Sequence, residues 1–163
     1  MFDNEIYNNP YYFINNMNNY YAGNRNNLEW GNIKDFGPNP FVINIKEATE
    51  INKNFRTTLW TGKNLQITLM SIGVGESIGL EQHSNLDQFI RIEEGIGLVK
   101  MGNSSEYLDF QREVFDDFAF VIPAGKWHDL VNIGNKPIKL YSIYAPPAHE
   151  KGTIHISKED DKH

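Results

Sequence analysis

Gly75-Glu-Ser-Ile-Gly-Leu-Glu-Gln-His-Ser-Asn-Leu-Asp-Gln-Phe-Ile-Arg-Ile-Glu-Glu-Gly95, taken with Pro123-Ala-Gly-Lys-Trp-His-Asp-Leu-Val-Asn132, decides how this 163-residue chain is read. Glu81 and His83 are two residues apart, so on a β-strand both side chains point to one face. His128 follows a separate Pro-Ala-Gly turn, on what reads as another strand. A carboxylate and two imidazoles converging from different strands of one barrel make a metal site.

The segments around these residues carry the same β pattern. Phe41–Ile45 reads as one strand, and Leu65–Ile72 alternates apolar and polar as a second. Gly73 and Gly75 mark a turn before a third strand, Ile78–His83. Gln88–Glu93 and Ile96–Met101 read as a hairpin about Glu94-Gly95. Phe118–Ile122, Trp127–Ile133 and Ile138–Tyr144 complete a run of short strands punctuated by Gly, Pro and Asn. That rhythm means an all-β sandwich or barrel rather than βαβ units. Helix is expected only in short pieces, over Lys46–Asn52 and near the C-terminus. Phe118, Phe120, Ile122, Leu130, Ile138 and Leu140 are the core candidates. Trp60 and Trp127 suit either the barrel mouth or packing in the core or between subunits.

The spacing of the two stretches resembles that of the cupins. Their first motif runs Gly, five residues, His-x-His, three or four residues, Glu, six residues, Gly. Here the series is Gly75, Glu81-x-His83, Gln88 and Gly95. Their second motif, Gly, five residues, Pro-x-Gly-x-x-His-x-x-x-Asn, is matched by Pro123, Gly125, His128 and Asn132, with Asp117 where the opening Gly would stand. The resemblance covers roughly Phe41 to Tyr144 and implies a double-stranded β-helix (jelly-roll) barrel. It also implies a small bacterial protein that pairs as a homodimer and carries a divalent metal: iron, manganese, nickel or zinc. Two His and one carboxylate, Glu81, His83 and His128, suit such ions. Gln88 replaces the family's Glu. It is either a weak neutral ligand or a group that hydrogen-bonds metal-bound water or a small polar ligand. It shares the inward parity of Ile90 and Ile92, whereas Asp87 is out of phase and expected in solvent. Arg91 and Glu93 share that outward parity and are expected to pair across strands. The alternative is a non-catalytic barrel, ligand-binding or structural, in which the two ligand substitutions mark lost chemistry.

Composition narrows the remaining classes. The size suits one domain with a core of its own. The absence of Cys excludes disulfides, thiolate zinc sites and Cys nucleophiles, and it fits a reducing cytoplasm. No apolar stretch reaches membrane-spanning length, and no secretory signal is visible. A net charge of −6, without a basic stripe, argues against nucleic acid as a partner. Heavy Asn, Ile, Lys and Tyr usage fits an AT-rich bacterial genome. Residues 1–40 form an Asn/Tyr-rich N-terminal arm, read either as a disordered leader or as an arm packed through its Tyr and Trp30 side chains on the barrel or on a partner subunit. Residues 41–145 form the barrel and 146–163 a C-terminal extension. That extension is charged and expected to leave the barrel, with His149 and His155 solvated. Its wording, Tyr-Ala-Pro-Pro-Ala-His-Glu-Lys-Gly-Thr, resembles a tail seen in some small bacterial cupins, which implies instead that it folds back over the pocket.

Overall fold

The computed structural model describes Gly31 and residues 33–161, so most of the N-terminal arm lies outside the described residues. Two antiparallel sheets face each other. The larger has the order β10-β1-β2-β9-β4-β7 and the smaller the order β3-β8-β5-β6. The strands are β1 Arg56–Thr61, β2 Gln66–Ile72, β3 Glu81–Gln82, β4 Asp87–Glu94 and β5 Gly97–Gly102. They continue as β6 Phe110–Val114, β7 Ala119–Ile122, β8 Trp127–Asn132, β9 Ile138–Ala145 and β10 Ile154–His155. The jelly-roll expectation holds.

Between the sheets, Met70, Ile72, Ile90, Ile92, Ile122, Ile138 and Leu140 meet Val99, Met101, Val114 and Leu130 in one core. Fully burying side chains of this kind stabilises by about 1.5–3 kcal/mol each. Four of the six expected core residues, Ile122, Leu130, Ile138 and Leu140, are buried. Phe120 is half-buried against the cluster, and Phe118 is a correction. It precedes β7, remains 41% exposed and packs on Phe115 at 4.1 Å between ring centroids.

The outer face of the large sheet is covered too. Helix α1, Ile45–Ile51, is capped by the Asn44 side chain, which accepts from the Glu47 amide at 3.2 Å. Ala48 of α1 packs with Ile33, Leu59 and Leu69, and Phe36, Phe41 and Ile43 pad the same cluster. Phe41–Ile45 is therefore not a strand. Its alternation buries one side of an extended segment, but period-2 burial does not require a pairing partner, and none is taken before Asn44 starts the helix. Asp35 ties this segment to β1, accepting from the Thr61 hydroxyl at 2.6 Å and the Thr61 amide at 3.0 Å.

A second correction concerns residues 88–101. β4 belongs to the large sheet and β5 to the small one, so they are not a hairpin. The chain crosses between layers at Gly95, with φ +103°, where a Cβ would come within 2.9 Å of the Ile138 Cα. Only Gly fits both demands. The third expected strand is also shorter: Gly79, at φ +98°, interrupts it, so the ladder with β8 is Glu81–Gln82, with a separate bridge at Ser77↔Val131 and the Ile78 amide on the Leu130 carbonyl.

Asp117, standing where the second motif has its Gly, is the sole non-Gly residue with positive φ among those described, at +72°. Asp tolerates this region better than most L-residues. Its carboxylate also reaches Arg91 at 2.7 Å on the surface. Arg91 also bonds Glu93 on its own strand at 3.0 Å, so in place of cross-strand pairs the contacts run along β4 and to the turn between β6 and β7. Asp117→Val should cost about 1–3 kcal/mol from backbone strain. Asp117→Gly should lie within about 1 kcal/mol of the parent, because relief of φ offsets a weak exposed ion pair. Chemical denaturation of the two variants checks this ordering.

Candidate metal centre

Glu81 and His83 come from the segment that begins in β3 and His128 from β8, and the register sets Glu81 and His128 side by side. The Glu81 Oε1 atom lies 3.3 Å from His128 Nε2 and 3.5 Å from His83 Nε2. One ligand atom from each of the three lies within 4.8 Å of the others. The second motif is docked on the first: the Gly125 amide donates to the His83 carbonyl at 2.7 Å. Asp87, outside the site as parity demands, caps the same turn by accepting from the Ala124 amide at 2.9 Å. Asn132 holds the far end of β8, donating to the Ile72 and Lys136 carbonyls.

Two features of this cluster fit a divalent cation. The His128 Nδ1 atom lies 3.1 Å from the Lys126 carbonyl, an acceptor, so Nδ1 carries a proton and Nε2 faces the Glu81 carboxylate. A lone pair facing a carboxylate is repulsive unless a proton or a metal ion lies between them. His83 Nε2 is buried and meets the same Glu81 oxygen only at 3.5 Å, too long for a strong hydrogen bond. The spacings agree as well. Metal bonds of about 2.1 Å at a tetrahedral angle put ligand atoms about 3.4 Å apart, and the observed values are 3.3 and 3.5 Å.

Burial works to raise the Glu81 pKa, but hydrogen bonds with His128 and His83 and the charge of Arg56 outweigh it and hold the carboxyl far below its usual range. Glu81 is therefore an anion in a protected site.

Gln88 is buried on the inner face with Ile90 and Ile92, as expected. Its Nε2 donates to the Ser142 hydroxyl at 2.9 Å, and its Oε1 is buried without a hydrogen-bond partner. Across the ladder Gln88 stands opposite Tyr144, whose ring meets His83 edge-on at 5.8 Å between centroids. Gln88 thus adjoins the cluster through Tyr144.

The tail does not leave the barrel. β10 pairs with β1, and Asp161 bonds Arg56 Nη2 at 2.9 Å. His149 contacts Arg56 and packs edge-on against Tyr144 at 5.2 Å, and His155 Nδ1 lies 2.9 Å from Asp161. The solvated-tail expectation fails because these polar residues find a buried cation to pair with, not an apolar face. Arg56, 1% exposed, is the site residue that pattern reading missed. Nothing in Phe55-Arg56-Thr57-Thr58 alternates, since β1 is buried on both faces. A cavity of about 410 Å³ opens over Glu81 and His83, with Ile78, Gly79, Lys158 and Asp161 in its wall.

The comparisons agree with this architecture. The family model described as "Cupin domain" matches residues 68–144. An uncharacterized protein of Bacillus subtilis (strain 168), YrkC, is 62% identical over 128 residues, covering 78% of this chain and 69% of that protein. The chain belongs to the cupin superfamily. The crystal structure of BH2720 from Bacillus halodurans is 60% identical with a TM-score of 0.78, spanning 78% of this cupin and 97% of that chain. A cupin superfamily protein from Desulfitobacterium hafniense shares the fold at 20% identity and a TM-score of 0.52, over 68% and 94% of the two chains. Among the described residues of this cupin, no helix is long and apolar enough to cross a membrane.

Proposed function

We propose that this cupin binds one divalent metal ion through Glu81, His83 and His128 and uses it to bind or transform a small polar molecule in the adjoining cavity. The observation that carries the reading is the facing of Glu81 Oε1 by two imidazole Nε2 atoms at 3.3 and 3.5 Å. Bound there, iron, manganese, nickel or zinc would supply Lewis acidity or, for iron, an O₂ site. The chain's part is to hold the ligands rigid. Lys126 fixes the His128 tautomer, the Gly125 amide fixes the His83 backbone, and Tyr144 limits the His83 ring. Gln88 would orient water or ligand through its unused amide oxygen. The fold itself selects no reaction.

The other reading is a metal-free ligand-binding or structural barrel, favoured by the way two imidazoles and the Arg56 charge compensate Glu81 without an ion. Elemental analysis of protein purified without a His-tag separates the two. About one equivalent of metal supports the first, and a folded, metal-free protein supports the second. A cytoplasmic homodimer completes the proposal. Phe110 and Val121, on the edge strands β6 and β7, are exposed, which supports pairing of two copies through that side.

The Gln88 variants refine the site. Gln88→Ala should keep the metal and weaken binding of the small ligand. Gln88→Glu should tighten divalent binding by about tenfold, or ~1.4 kcal/mol. It should also lower the stability of chelator-treated protein, because a second buried carboxylate then lacks a cation. Zinc competition titration and thermal unfolding with and without chelator read both effects.

A further inference from the structure

We infer that the ligand of this pocket carries a carboxylate, that Arg56 is the residue that reads it, and that the Asp161 carboxylate of the tail holds that position in this conformation. The inference deepens the metal-site reading and rests on it only for where the other end of the ligand lies.

Arg56 is an unusual residue to find at 1% exposure on the inner face of a barrel. It donates to the Tyr144 hydroxyl at 3.3 Å and contacts His149, while its Nε atom is buried without a hydrogen-bond partner. A buried guanidinium needs an anion. Its anion comes from the chain's far end, 105 residues away: Asp161, whose Oδ2 accepts from Nη2 at 2.9 Å. Asp161 Oδ1 lies 2.9 Å from His155 Nδ1, and the residue also lines the cavity that holds Glu81 and His83.

The segment that brings Asp161 there is lightly held. Beyond Thr153, whose carbonyl accepts from the Thr58 amide at 2.9 Å, its ties are the two ladder pairs of β10, the Phe55 amide on the Ile156 carbonyl at 3.2 Å and Lys158 on the Ser77 hydroxyl at 3.1 Å, while Ile154 and Ile156 are 51% and 75% exposed. Release of such a segment costs little beside the loss of a buried charge partner. A carboxylate arriving through the cavity replaces that partner in kind, so Arg56 never stays uncompensated. A planar carboxylate is favoured over a tetrahedral oxyanion because the position already accommodates one. Lys158, in the same wall, adds positive charge to the approach.

The test uses full-length protein titrated with acetate by calorimetry, with acetamide as the neutral comparison and metal content measured on the same samples. Wild-type protein should bind acetate weakly, and at saturation amide exchange over residues 154–161 should quicken several-fold. Asp161→Asn should bind acetate at least tenfold more tightly, because the internal competitor is gone. Adding Arg56→Lys, which keeps the charge but loses the fork geometry, should remove that gain. Acetamide should bind none of the three. Equal acetate affinity in wild type and Asp161→Asn, tail exchange unmoved by acetate, or no acetate binding at all would each overturn the inference. A metal-free sample that still shows the gain removes the metal reading and leaves this one. A sample holding one equivalent of metal without the gain does the reverse.

Discussion

Replacing His128 with alanine is expected to weaken divalent-metal binding by at least about 100-fold. His128 is 1% exposed and its ring is oriented before any ion arrives, by the Lys126 carbonyl on one nitrogen and Glu81 on the other. Its removal leaves two protein ligands of three, and no other His, Asp or Glu among the described residues joins this cluster. His128→Gln, which fills more of the space, should lose the metal nearly as completely, separating ligation from packing. Glu81→Gln should do the same by removing the charge while keeping the shape. Asp87→Ala is the control. Its side chain faces outward onto the Ala124 amide, so metal affinity should stay within about twofold of the parent while the turn loses a hydrogen bond worth about 1 kcal/mol. Zinc competition titration measures all four. An essential Asp87 beside a dispensable Glu81 would mean that Asp87, not Glu81, faces the ion.

That parity was legible because strands alternate strictly. Glu81 and His83 on one side, Gln88, Ile90 and Ile92 inward, and Asp87 outward all follow from counting by two. Pairing is a different matter. The turn at Glu94-Gly95 has the local chemistry of a hairpin, yet Gly95 carries the chain from one sheet to the other, and nothing within ten residues says so. β1 escaped notice because both of its faces are covered, with Arg56 and Thr58 inside and Leu59 against α1. β6 escaped for the opposite reason, being an edge strand exposed over most of its length. The tail was misread because charge was equated with solvent. Asp161 is nearly as buried as Arg56, at 3% and 1% side-chain exposure, and neither explains the other until they are placed together.

Arg56→Met is expected to destabilise the fold by about 3–5 kcal/mol, the usual cost of removing one member of a buried ion pair. For a domain of this size that corresponds to a fall in Tm on the order of 10 °C or more. Methionine nearly matches the arginine stem in volume, so the loss reports charge rather than packing. Asp161, with His155 2.9 Å from its Oδ1, would lose its guanidinium partner, and Tyr144, buried completely, would lose the donor at its hydroxyl. Burial already pushes the Tyr144 phenol above its usual range, and the Arg56 charge works against that rise. Taking the guanidinium away leaves the phenol still harder to ionise. The companion variant makes the argument sharp. In Arg56→Met/Asp161→Leu both charges are gone and apolar groups occupy their places, so stability should recover to within about 2 kcal/mol of the parent. Thermal and chemical unfolding of the single and double variants give the coupling between the two sites directly. A single variant as stable as the parent would mean that water, not Arg56, satisfies Asp161, and that the tail is held by its backbone alone.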